Sequence, residues 1–157
     1  LAELAQLDRL PDVAVGLVQK ELAQRLAASP GERAYGGLAG LLQALFTVQV
    51  LRDVSPEVFR PRPKVWSSVV RLALREDRPA GLADAAARAR FAQFVRVLFG
   101  QRRKTLRRTF AAAVAEIGGA AAVLPADLGA RRAEQLTVDE LVALWQRCEP
   151  DGFGPTD

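Results

Sequence analysis

The chain has 157 residues, half of them hydrophobic, enough to bury a real core and too many for a disordered tail. It has no histidine and one cysteine, Cys148. Those counts exclude imidazole-based zinc sites, Ser-His and Cys-His nucleophile pairs and any internal disulfide, and they fit a reducing, cytosolic compartment. The formal net charge of +4 favours polyanionic partners, and no apolar run is long enough for a membrane span or placed like a signal peptide.

In chain order, residues 1–5 read as the last turns of a helix, and the chain contains no methionine, so a cut or missing boundary is expected at its start. Residues 12–19, DVAVGLVQ, are short, valine-rich and almost wholly apolar. That pattern predicts a strand buried on both faces, as in a parallel sheet. Residues 21–28 predict a helix stopped by Ser29, Pro30 and Gly31. Residues 38–46 predict another, with Leu38, Leu41, Leu42 and Leu45 on one face.

Residues 47–54 and 69–74 alternate as strands do. The connection between them, residues 55–64, holds Pro56, Pro61 and Pro63, which fix φ repeatedly and forbid a regular ladder. Such a stiff connection is a good platform for a side chain that must hold its position. Residues 76–81, EDRPAG, form the candidate domain junction.

Everything beyond reads as helix. Residues 88–99 place Phe91, Phe94, Val95 and Leu98 at helical spacing, and residues 102–117 do the same for Leu106, Phe110, Val114 and Ile117. Gly118 and Gly119 end that helix. Residues 127–135 are a weaker helical segment, and Thr137 with Glu140 forms a capping box before Leu141, Leu144 and Trp145. Residues 151–157 predict a frayed tail. The fold class is α/β: the end of an α/β sheet followed by a small helical bundle.

Cations gather in two acid-free stretches. Arg60, Arg62, Lys64, Arg71 and Arg75 lie between Glu57 and Glu76. Arg88, Arg90, Arg96, Arg102, Arg103, Lys104, Arg107 and Arg108 lie between Asp84 and Glu116. On a helix starting at Arg102, the pairs Arg103/Arg107 and Lys104/Arg108 stand four residues apart and share a face. A solvated face is the ordinary reading of a charge run. Here the local lack of acids favours a phosphate backbone, whose binding relieves the repulsion and releases counterions. Arg62 and Lys64 reach phosphate or are simply solvated. Gly36, Gly37 and Gly40 do not make a dinucleotide fingerprint, and Asp139 and Glu140 belong to a helix start, so no metal site is expected.

Four segments, in order, resemble motifs of the ribosomal RNA adenine dimethyltransferases of the KsgA type. Residues 18–26, VQKELAQRL, resemble the family's VQKExAxRL strand end, and Tyr35-Gly36-Gly37-Leu38 resembles its YGxL helix start. Residues 59–72, FRPRPKVWSSVVRL, resemble FxPxPKVxSxVVRL, and residues 101–107 resemble QRRKTLR. Any one of these is weak alone; together they span nearly the whole chain. Arg108 stands where asparagine is common in the family, and Trp66 where aspartate is common.

The resemblance implies that residues 1–76 are the distal part of a Rossmann-like methyltransferase sheet. A small all-α RNA-binding domain at 82–150 and the tail at 151–157 would follow it. It implies dimethylation at N6 of two adjacent adenosines near the 3′ end of small-subunit ribosomal RNA, with S-adenosylmethionine as donor. Phe59, the aromatic that opens the third motif, would lie against the target adenine. Read from the residues alone it is a core aromatic closing the sheet edge. Arg62, Lys64, Arg102, Arg103, Lys104, Arg107 and Arg108 would contact RNA.

The family's glycine-rich cofactor loop, its acidic ribose ligand and its N-L-P-Y catalytic motif are not in this sequence. Catalytic and cofactor-binding residues are therefore expected upstream, and this chain alone is expected neither to bind S-adenosylmethionine nor to transfer methyl groups. The expected partner is small-subunit ribosomal RNA or the immature small subunit, in the cytoplasm. Self-association is expected if the sheet is truly truncated, because its edge and apolar face would lie open. The alternatives are a non-catalytic RNA-binding or ribosome-assembly module and the related antibiotic-resistance methyltransferases of large-subunit RNA. The QRRKTLR and FRPRPKV segments favour the small-subunit enzymes.

Overall fold

The computed structural model describes residues 1–119 and 122–148, so the tail expected at 151–157 lies outside the described residues. Three segments form one sheet: β1 (Val13–Gln19), β2 (Phe46–Val54) and β3 (Ser67–Leu74), in the order β1-β3-β2. The central β3 is antiparallel to both neighbours, from Val13↔Ala73 to Gln19↔Ser67 on one side and from Phe46↔Leu74 to Val54↔Ser67 on the other. It follows that β1 and β2 run the same way. The β2 register shifts between Val50 and Arg52, a local irregularity at Leu51. Ser68, Val70 and Leu72 of β3 point into the core with the period of two that a pleated strand imposes.

One strand differs from expectation. β1 is neither part of a parallel pair nor buried on both faces. Among the described residues it bonds only to β3, antiparallel, and Val13, Val15 and Leu17 are 47%, 60% and 49% exposed. A continuous apolar run identifies a strand but says nothing of what covers it.

Among the described residues, five α-helices accompany the sheet: α1 (Lys20–Ala27), α2 (Gly37–Leu45), α3 (Ala85–Gly100), α4 (Leu106–Glu116) and α5 (Val138–Gln146). Gln43 on α2 donates from Nε2 to the carbonyls of Leu26 and Ala28, at 2.8 and 2.9 Å, and so ties α2 to the end of α1. Asp84 caps α3, its Oδ1 accepting from the Ala87 amide at 2.8 Å. The capping box of α5 forms as expected. The Glu140 amide donates to Thr137 Oγ1 at 3.1 Å, and the Thr137 amide donates to Glu140 Oε2 at 2.8 Å. Gly118 closes α4 at φ +62, the left-handed conformation that glycine adopts without a Cβ penalty.

Three helical expectations change. Residues 102–105 form a turn, and the helix begins only at Leu106, with Thr105 as its N-cap. Arg102, Arg103 and Lys104 therefore do not share one helix face with Arg107 and Arg108. The physical reason lies in the backbone partners: the first amides of α4 donate to distant carbonyls and not to residues 102 and 103, so the helix has no turn before Leu106. The turn is held instead by backbone bonds from Leu106 to Arg131 and from Arg107 to Gly129, at 2.8 and 3.2 Å. Residues 127–135 are likewise turn, with a single 3-10 turn at Ala133–Gln135. At the start of the chain, Ala2–Gln6 is 3-10 rather than α.

A continuous set of buried side chains runs from Leu26 and Leu42 beside the sheet to Leu98, Phe110 and Leu144 in the helices. Edge-to-face rings knit it together: Phe91 on Trp145 at 5.4 Å, Tyr35 on Phe99 at 5.8 Å and Phe94 on Phe110 at 6.3 Å. Trp145 is a core residue, as its spacing indicates, and it is fully buried. Arg88 is also inside, 1% exposed. Its guanidinium donates to the carbonyls of Ala5 (2.8 Å), Leu7 (2.5 Å), Asp8 (3.5 Å), Leu82 (3.0 Å) and Ala83, clamping the N-terminal segment to α3. Among the described residues, no helix is long and apolar enough to cross a membrane.

Candidate functional site

The register places the proline-rich connection. Gln19 of β1 and Val54 of β2 both pair with Ser67 at the start of β3, so residues 55–66 sit at the carboxyl ends of β1 and β2. Ser55 Oγ accepts from the Glu57 amide at 3.3 Å and caps a 3-10 turn at Pro56–Val58. The Phe59 amide donates to Pro56 O at 3.3 Å, and its carbonyl accepts from the Arg60 guanidinium at 3.2 Å. Both polar groups of the Phe59 backbone are therefore fixed, while its ring is only half-buried. The loop backbone is thus braced at Phe59, and part of the residue's surface is open to a ligand.

Beside this loop stands a polar cluster that the sequence reading did not single out. Lys20 Nζ meets Asp53 Oδ2 at 2.5 Å, and Ser68 Oγ donates to Asp53 Oδ1 at 2.7 Å. The hydrogen bonds from Lys20 and Ser68 hold the Asp53 carboxyl below the usual carboxylate range. A lowered carboxyl pKa gives support that is complete at neutral pH and is lost as pH falls through that lowered value. The Lys20 amide also donates to the carbonyl of Trp66 at 2.9 Å, and its ammonium lies 5.7 Å over the Trp66 ring. Lys20 sits in the VQKE segment, so a motif pointed to it; Asp53 had no such signal.

The second feature is a cleft of about 680 Å³ between α1, the loop after it and the turn before α4. Arg25, Arg33, Arg102, Arg103 and Arg132 line it, with Glu21 and Glu134 as its only acidic walls among the described residues. Both acids are already engaged, Glu21 by Arg25 at 2.6 Å and Glu134 by Arg102 at 3.1 Å. Arg102 also donates to the carbonyls of Arg33 (2.9 Å) and Tyr35 (3.2 Å), which fixes the loop across the cleft. Among the described residues, Arg33, Arg103 and Arg132 carry no ion pair. Three uncompensated guanidinium forks around one opening suit a phosphate backbone.

The sequence-derived cations divide accordingly. Arg102 and Arg103 join this cleft, whereas Lys104, Arg107 and Arg108 are exposed outside its walls. Arg62 and Lys64 line a separate cleft with Trp66. Arg25, Arg33 and Arg132 come from segments the sequence reading did not assign to RNA. Arg96 is engaged by Glu116 at 2.6 Å, and Arg88 is internal.

These walls do not suit S-adenosylmethionine. Its sulfonium is a cation and its ribose asks for a free acidic partner. The large cleft is itself cationic, and its two acids, with Glu57 of the smaller one, are held by arginines at 2.6 to 3.5 Å. Among the described residues there is also no cluster of acids and cysteine able to hold a metal ion.

A family model described as ribosomal RNA adenine dimethylase matches residues 5–141. The chain is 40% identical over 135 residues to the ribosomal RNA small subunit methyltransferase A of Bacteroides thetaiotaomicron, covering 85% of this chain and 48% of that protein. It is 44% identical over 128 residues to the protein of the same name from Xanthomonas oryzae pv. oryzae, covering 82% and 47%. It therefore spans about half the length of the curated relatives it matches. A dimethyladenosine transferase from Plasmodium falciparum has the same fold, with a TM-score of 0.71 at 22% identity, over 90% of this chain and 58% of that one.

Proposed function

This chain belongs to the ribosomal RNA adenine dimethylase family, and from that premise we propose that it forms the target-base and RNA-gripping part of an enzyme dimethylating N6 of two adjacent adenosines near the 3′ end of small-subunit ribosomal RNA. The enzyme uses S-adenosylmethionine, held by residues outside this chain. It acts in the cytoplasm on the immature small subunit. The exposed apolar face of β1 and its edge, unpaired among the described residues, form the surface on which the remainder of the sheet docks. Where nothing docks, that surface drives self-association.

The observation that carries this reading is the arginine cleft, with Arg33, Arg103 and Arg132 uncompensated around it. Phosphates in the cleft fix the strand's register, and Arg62, Lys64, Lys104, Arg107 and Arg108 extend the positive field around it. A base in folded RNA is out of reach until it leaves its stack, and Phe59 offers a replacement surface at the strand ends. The lone pair of an adenine N6 is delocalised into the ring, so placement of that amine matters more than a strong base. A ring carried on a braced loop supplies placement.

The test is the salt dependence of binding to a labelled hairpin carrying the 3′-terminal small-subunit sequence. Arg33→Gln with Arg132→Gln should leave stability within about 0.5 kcal/mol of the parent. It should also reduce the slope of log affinity against log salt by about one per residue removed. A parent chain with no salt-dependent affinity for the hairpin would refute the proposal.

A further inference from the structure

Trp66 is the only exposed aromatic residue among those described, with half of its surface open, whereas the chain's other tryptophan, Trp145, is fully buried. Trp66 is not a lone exposed apolar side chain: Val58 (68% exposed) and Val65 (47%) lie on the same loop, and such a grouping is the kind of surface that marks a binding site. The ring is held from behind by its own backbone. Its carbonyl accepts from the Lys20 amide at 2.9 Å, and the Lys20 ammonium, anchored on Asp53 at 2.5 Å, lies 5.7 Å over the indole. It forms a wall of a cleft of about 510 Å³ shared with Ser55, Glu57, Arg62, Pro63 and Lys64. That volume lies in the range of small-ligand sites.

The walls have the chemistry of a nucleotide subsite. The indole supplies a plane for a base, Lys64 supplies charge for a phosphate beside Arg62, whose exposed guanidinium is only loosely paired with Glu57 at 3.5 Å, and Ser55 Oγ supplies an acceptor for a base amine. Phe59 is not a wall of this cleft. One loop thus presents two aromatic rings to two different places, one half-buried and one exposed.

We propose that Trp66 stacks a second unstacked base, a neighbour of the target adenine on the same RNA strand, and that Arg62 and Lys64 hold the phosphate joining them. This rests on the reading that the chain binds RNA through its arginine cleft. Extruding one base strips its neighbours of a stacking partner, and the indole replaces that partner. Trp66 is a positioning residue: it orders the strand on either side of the reacting base without touching the reacting amine.

The two tryptophans make the test direct, because only Trp66 is within reach of a ligand. Hexaadenylate, titrated into the full chain, should quench the exposed, acrylamide-accessible part of the emission, while a ribose-phosphate hexamer lacking bases should bind without quenching. Trp66→Leu should abolish the quenching and weaken hexaadenylate by about tenfold, as expected for loss of one stacked base, and Trp66→Phe should restore part of that affinity. Circular dichroism and a cooperative melt confirm that each variant is folded, and Trp66→Phe serves should Trp66→Leu fail that check. Hexaadenylate binding by anisotropy with unchanged Trp66 emission, or equal affinity of parent and Trp66→Leu, would overturn the stacking role and leave the arginine cleft intact. No binding of either hexamer or of the ribosomal hairpin would overturn the stacking role and the RNA reading together.

Discussion

Arg88 and Arg102 come from the same acid-free run, and both donate to carbonyls of distant segments, yet they do opposite things for the molecule. Arg88 is 1% exposed and spends its donors inward on residues 5, 7, 8, 82 and 83. Arg102, its side chain half exposed, fixes Arg33 and Tyr35 and faces a cleft lined by four other arginines. Inside, a guanidinium is tolerable only when its donors are nearly all satisfied, so it becomes a structural hub. At the rim, water shares the solvation, and the same group can leave part of its field for a ligand. Charge counted along the sequence therefore overstates the charge offered to RNA.

The sharpest way to break this contrast is Arg88→Leu. It should lower stability by about 3–5 kcal/mol, because five carbonyls lose a buried charged donor. Urea unfolding followed by circular dichroism measures it, and a loss under about 1 kcal/mol would place Arg88 with the surface arginines. Arg102→Gln should lower stability by only about 1 kcal/mol while weakening RNA affinity more than any single change at Lys104 or Arg108, since it also frees the loop bearing Arg33. Equal effects on binding at all three positions would show that the cleft is no more than a diffuse positive surface.

The smallest effect is expected where the two regions meet, at Tyr35. Its carbonyl accepts from Arg102, but its hydroxyl is buried without a partner among the described residues, and burial pushes its pKa up to about 12. Tyr35→Phe removes an unsatisfied polar atom and keeps the ring against Phe99. Thermal melting should show no loss, or a gain of about 1 kcal/mol, because the desolvation penalty disappears. A loss of 2 kcal/mol or more would reveal a hydrogen bond to this hydroxyl.

Much of the architecture could be read in advance because it depends on local pattern. Alternation in residues 47–54 and 69–74 encodes two strands, and Thr137 with Glu140 encodes a helix start. Phe91, Phe94, Val95 and Leu98 encode a buried stripe. The motifs at 18–26 and 59–72 pointed to the loop now seen at the strand ends. Local pattern failed where a neighbour decided. β1 has the composition of an interior strand and lies open, and Arg102 to Lys104 fit a helical wheel and form a turn. Arg25, Arg33 and Arg132 had no motif to mark them as partners of Arg103, because their proximity arises from how α1 packs beside the turn before α4.

By itself, then, the order of residues determined the elements, the family and the stiff proline loop, since hydrophobic period, turn chemistry and capping act over a few residues at a time. Only the tertiary structure decided which arginines are interior and which face the cleft. It also placed Lys20 under Trp66 and brought the cleft's arginines together from both sides. Burial and long-range charge depend on distances in space, and two guanidiniums far apart in sequence carry no mark of being neighbours until the chain has closed around them.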